Sequence, residues 1–96
     1  MSTFQAISDY KYDAKQLLGL RLRQYSQIPK DESGPNPRIG FLAEEAKVSS
    51  PDLVRYSPVD GTPLNVDYSR VVAFLVEEIR ALRERVATLE SRAGIL

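Results

Sequence analysis

Histidine and cysteine are both absent from this 96-residue chain, and that bounds its chemistry before any motif is read. Without histidine there is no His-dependent triad, and the commonest general base and metal ligand are gone. Without cysteine there is no disulfide and no thiolate metal site. Ser8-Asp9-Tyr10-Lys11 does place a serine near a lysine, and a Ser–Lys dyad can hydrolyse peptides without histidine. The plainer role of Ser8 is a helix cap beside a solvated lysine. The adjacent carboxylates Glu44 and Glu45, and Glu77 and Glu78, point in different directions on a helix and read as surface charges. Tyr10, Tyr12, Tyr25, Tyr56 and Tyr68 offer a stacking surface for bases or sugars. Scattered tyrosines are more often half-buried structural residues. No glycine-rich phosphate loop is present. These residues lead to no catalytic assignment, no metal and no cofactor, so the chain is not read as an enzyme.

Charge adds little. Thirteen basic and thirteen acidic residues cancel, which argues against nucleic acid or an anionic membrane as partner. No apolar run approaches the roughly 18 residues of a membrane span.

The elements available to position side chains are short until the C-terminal third. Residues 3 to 18 read as a helix with Ile7, Tyr10, Ala14, Leu17 and Leu18 on one stripe and Gly19 as its stop. Ser8 or Asp9 would cap a shorter version. Residues 20 to 28 alternate as a strand. Residues 29 to 37, rich in proline, form a loop that projects from the body. Ile39 to Leu42 is the returning strand, with Gly40 placed for close backbone approach. Ala43 to Lys47 favours a short helix, which Ser49, Ser50 and Pro51 end. Leu53 to Tyr56 and Leu64 to Tyr68 read as a second hairpin around the Asp60-Gly61 turn.

From Val72 the apolar pattern is strict. Val72, Ile79, Val86 and Ala93 take the a positions of a heptad, and Leu75, Leu82, Leu89 and Leu96 the d positions. The segment from Asp67 to about Ala93 is therefore a helix of roughly 37 Å, with Asp67 or Ser69 as its cap. In a parallel coil Glu78 (g) meets Arg83 (e) of the neighbour, and Arg85 (g) meets Glu90 (e). The body before it has about 66 residues, marginal for a self-sufficient core, and oligomerisation is the usual remedy. β-branched residues at a with Leu at d favour two strands. Arg85-Val86-Ala87-Thr88-Leu89-Glu90 favours three, because it resembles the Arg–apolar–x–x–apolar–Glu motif of parallel trimeric coils. The expected fold is α+β: a body at residues 1–66 and a trimerisation helix at 67–96. Val72, Leu75, Ile79, Leu82, Arg85, Val86, Leu89 and Glu90 are expected to form the trimer interface.

Four segments also resemble a known family. Lys15-Gln16-Leu17-Leu18-Gly19-Leu20-Arg21 is similar to its helix running into a first strand. Ile39-Gly40-Phe41-Leu42-Ala43-Glu44-Glu45 is similar to its Ile-Gly-Phe-Ile-Ala-Gln-Glu segment. Pro51-Asp52-Leu53-Val54 is similar to its Pro-Glu-Leu-Val. Val66-Asp67-Tyr68, followed by Leu75, is similar to its Val-Asp-Tyr leading into the last helix. Together, in order and at compatible spacing, they resemble the endosialidase-type intramolecular chaperones, C-terminal domains of phage tail spikes and tail fibres also classed as self-cleaving peptidases. The resemblance implies a homotrimer that registers an upstream β-structured fibre of the same polypeptide. It implies action in the host cytoplasm during virion assembly, and a place in the virion tail if the domain is retained. It makes Gly40, Phe41, Ala43, Glu45, Pro51, Val66, Asp67 and Tyr68 structural signature residues. The family's Ser-Asp-x-Arg-x-Lys cleavage signature is not matched. Here Lys11 stands in place of the Arg, and Asp13 in place of the dyad Lys. The dyad is therefore not carried over. A permanent adaptor without chaperone role and a self-cleaving peptidase remain as alternatives.

Overall fold

The computed structural model describes residues 6–27 and 36–94. Its elements, in chain order, are α1 (Ala14–Leu18), β1 (Arg23–Gln27), β2 (Asn36–Gly40), α2 (Ala43–Ser49), a 3-10 turn (Pro51–Leu53), β3 (Val54–Tyr56), β4 (Pro63–Val66) and α3 (Tyr68–Arg92). The strands form two separate antiparallel pairs, β1 with β2 and β3 with β4. The architecture is thus mixed: small two-stranded sheets and short helices, then one long C-terminal helix.

The first helix is much shorter than the apolar stripe suggested. Residues 6–13 are not helical, and α1 has five residues capped by Asp13, not by Ser8 or Asp9. The Asp13 carboxylate accepts the Lys15 N–H at 2.9 Å, the local competition that makes Asp a helix starter rather than an interior residue. Tyr10 and Tyr12 explain the rest. Two residues apart, they share a side only if the chain is extended, and both rings meet Phe74 of α3, at 5.6 and 5.3 Å between centroids. Ile7, expected on the stripe, is 86% exposed. Residues 6–13 thus form a strap that touches α3 through Tyr10 and Tyr12.

The first strand pair also differs in extent. Leu20 and Leu22 precede β1, because the chain is still leaving α1 with Leu20 N–H bonded to the Leu17 carbonyl at 3.3 Å. Strand β2 starts earlier than expected and aligns Gly40 with Arg23. The expected projecting loop falls outside the described residues up to residue 35, and its last two members, Asn36 and Pro37, are strand, with Pro37 opposite Ser26. Helix α2 runs two residues past Lys47 to Ser49. The second hairpin forms as expected, with Gly61 at φ +74° in its turn. Tyr68 belongs to α3 rather than to β4.

The core is small: Leu17, Ala46, Leu53, Val54, Val66, Val71 and Phe74 are buried, with Tyr12, Leu20, Phe41 and Ala43 packed at its margin. Ser50 is fully buried. Its hydroxyl donates to the Gln16 carbonyl, which removes the penalty for burying it. Ser49 does the same for the Gly19 carbonyl at 3.1 Å. Gly19 ends α1 with φ −77°, a conformation open to any residue, so its reason is space. A Cβ there would lie 2.7 Å from the Ser49 Cβ, a stiff atom on a helix. Gly19→Ala should lower stability by about 1–3 kcal/mol, the usual cost of overpacking. Thermal melts followed by circular dichroism check this, and adding Ser49→Gly should recover part of the loss.

Candidate oligomerisation surface

Helix α3 is built to start at one place. The Asp67 carboxylate accepts the N–H groups of Ser69 and Arg70 at 3.1 and 3.3 Å. Its own N–H donates to the Leu53 carbonyl at 2.8 Å, which ties the helix start to the buried turn. The Tyr68 hydroxyl accepts the Phe41 N–H at 3.1 Å, and the two rings stack at 5.8 Å. Gly40 is buried there because a Cβ would stand 2.7 Å from the Tyr68 hydroxyl. This is the close approach expected of it, made to a side chain rather than to backbone.

Of the residues the sequence singled out in the body, Gly40, Phe41, Val66, Asp67 and Tyr68 lie at this joint, and the others make separate contacts. Gly40, Phe41 and Tyr68 form one contact. Val66 is buried directly before the Asp67 cap. Pro51 opens the 3-10 turn and its carbonyl accepts the Tyr56 hydroxyl at 3.2 Å. Ala43 starts α2 against the core. Glu45 holds Arg23 of β1 through two 2.9 Å bonds, and the guanidinium pushes the Glu45 carboxyl below its usual range.

The long helix carries two apolar stripes. Successive residues turn by about 100°, so Val71, Phe74 and Glu78 lie on one side and Val72, Leu75 and Ile79 on another, about 90° away. The first side faces the body: Val71 and Phe74 are buried, and Glu78 is half-buried. The second side is open along its length. Val72, Leu75, Val76, Ile79, Leu82, Val86 and Leu89 are 44–60% exposed, and Arg85 is exposed while Glu90 is half-buried. Leu96 falls outside the described residues. The radius of gyration is 18.6 Å, against roughly 12.5 Å for a compact chain of this length, because the second half of α3 leaves the body.

Covering half of seven large side chains is worth about 5–10 kcal/mol per chain at 1.5–3 kcal/mol for each fully buried. The two charge pairs at about 0.2–1 kcal/mol each are minor beside this. An isolated helix of three turns is marginal in water, so a partner on this face stabilises the helix as well.

Two roles escaped the sequence reading. Glu78 is not an ordinary surface charge, since it accepts the Tyr12 hydroxyl. Asp52 accepts the Tyr10 hydroxyl and the Gln16 side-chain amide, and its N–H donates to the Gln16 amide oxygen at 2.9 Å. These bonds, that of Tyr10 first, hold the Asp52 carboxyl below its ordinary value. The alternation of Tyr10 and Tyr12 was the available signal. Of the five tyrosines, Tyr10, Tyr12 and Tyr68 face aromatic neighbours within the chain. Ser8 and Lys11 lie exposed on the strap.

Among the described residues no group of His, Cys, Asp or Glu could hold a metal, and no helix is long and apolar enough to cross a membrane. Neither a protein-family model, nor a curated protein, nor a solved structure matches this chain.

Burial, and then the bond to Glu78, push the Tyr12 phenol from 10.0 up to about 12. The unfolded chain loses this proton near pH 10 while the folded chain keeps it. Stability from Tyr12 is therefore complete below pH 10 and declines as pH rises toward 12. Tyr12→Phe should make the alkaline decline shallower, measured by denaturant midpoints from pH 9 to 12. Tyr10, shifted in the same direction, leaves a residual slope.

Proposed function

We propose that the chain is an intramolecular chaperone of the phage tail-fibre and tail-spike type, which trimerises through α3 and holds upstream chains in register. The observation that carries self-association is the open seam from Val72 to Leu89, too long for the body to cover and unbroken by polar residues at a or d. The segment Arg85 to Glu90 favours three parallel strands. The four sequence segments similar to the chaperone family supply the link to fibre folding. The physical sense is direct. A three-chain β-structured fibre has high contact order and folds slowly. A trimer formed first raises the effective concentration of its strands. The partners are two further copies of the chain and the fibre segment upstream, in the host cytoplasm during virion assembly. No catalytic step is assigned to it.

Two measurements test this. Light scattering should give three chains per particle. Val86→Asp puts one charge per chain into a single a layer in the middle of the seam, and should reduce the mass to one chain; a trimer that survives the substitution overturns the assignment of the seam. In a fibre protein carrying this domain, the same substitution should abolish soluble trimeric fibre. Soluble fibre formed without the seam, with the domain retained in mature particles, would identify a permanent adaptor instead.

A further inference from the structure

The helical seam leaves open what the body does at the interface. Heptad positions answer this. Val71 and Glu78 are g positions, and Phe74 is a c position, so the body and the strap pack on the g/c side of α3. In a parallel coil that flank faces the e side of the next helix. The residues there are Val76 and Arg83, both exposed in the single chain. Pairing g with the following e sets Glu78 against Arg83 of the next copy, whereas Val71 is already covered by its own body.

Glu78 already has one partner inside its own chain. One carboxylate oxygen accepts the Tyr12 hydroxyl, and an ionised carboxylate has about four acceptor positions. The Tyr12 ring stands edge-on to Phe74, 83° between planes, one turn before Glu78. The bond holds the otherwise flexible Glu78 side chain in place.

Resting on the coiled-coil reading, we infer that Glu78 is a shared acceptor, holding the strap of its own chain through Tyr12 and the Arg83 of the neighbouring copy, so that strap docking and coil closure favour each other. The partner surface is the e face of a second copy, an apolar Val76 followed two turns on by the Arg83 guanidinium. Charge complementarity between Glu78 and Arg83 selects this occupant. A strap seated before assembly presents Glu78 in one orientation, so less freedom is lost when Arg83 arrives.

A double-mutant cycle on the full chain tests the coupling. Tyr12→Phe keeps the ring on Phe74 and removes only the hydroxyl. Arg83→Gln removes the partner charge. Each single change should move the dissociation midpoint, measured by sedimentation, to about three- to ten-fold higher concentration. In the Arg83→Gln background the Tyr12→Phe shift should shrink at least about two-fold. Equal shifts in both backgrounds, in a chain that still self-associates, overturn the shared acceptor and leave the coil standing. A wild-type chain that stays monomeric overturns the coil and this inference with it. Circular dichroism of each variant at high concentration should retain the wild-type helix content. A loss of helix confined to Tyr12→Phe would show a purely structural bond and count against coupling.

Discussion

Helix α3 carries more apolar surface than its own chain can cover, and most of the structure follows from that. The body is built from elements of three to seven residues, none stable alone. They are held by one face of the helix, through Val71 and Phe74. The other face has nothing to pack on. Enlarging the body would be one solution, and a second copy of the helix is another. At about 5–10 kcal/mol per chain, the open seam is comparable to the whole stability of a small domain. Folding of the body and association of the chain are therefore linked events in the proposed trimer.

The division between the faces depends on where the helix begins. A shift of one residue would turn each face by about 100° and exchange the roles of Val71 and Val72. Asp67 prevents this by being attached at both ends, its N–H to Leu53 and its carboxylate to Ser69 and Arg70. Tyr68 adds a second anchor through Phe41. Small residues at Gly40 and Gly19 let the pieces close on one another. These contacts hold a register, and the register decides which stripe faces inward.

The strap extends the same logic. Tyr10 and Tyr12 cover Phe74 and end on carboxylates, Asp52 and Glu78. Each ring supplies apolar contact and each hydroxyl meets an acceptor, which suits tyrosine at a half-wet boundary. The strap lies on the g side of the helix, so it belongs to the body and, in the proposed trimer, also to the flank facing the next copy.

Long-range periodicity was legible without coordinates. The heptad from Val72, a cap at Asp67 or Ser69, the second hairpin and its Asp60-Gly61 turn are local or repetitive signals, and repetition over many residues averages out the noise of single positions. Residues 6–13 are extended rather than helical because only Ile7 and Tyr10 of the five stripe residues lie there, and Tyr10 meets a distant phenylalanine together with Tyr12, which was not on the stripe. Propensity yields to tertiary contact over so short a window. The heptad marked Glu78 as a g position, but no local pattern pairs it with Tyr12, whose hydroxyl it receives. The sequence by itself determined that α3 exists, that it starts near Asp67, and that its apolar residues form a continuous seam, since helix geometry follows from spacing alone. Only the tertiary structure decided which stripe is covered by the body and which is left open. That depends on contacts more than 40 residues apart in the chain, between Tyr10, Tyr12 and Leu17 at one end and the helix at the other, which no local pattern records.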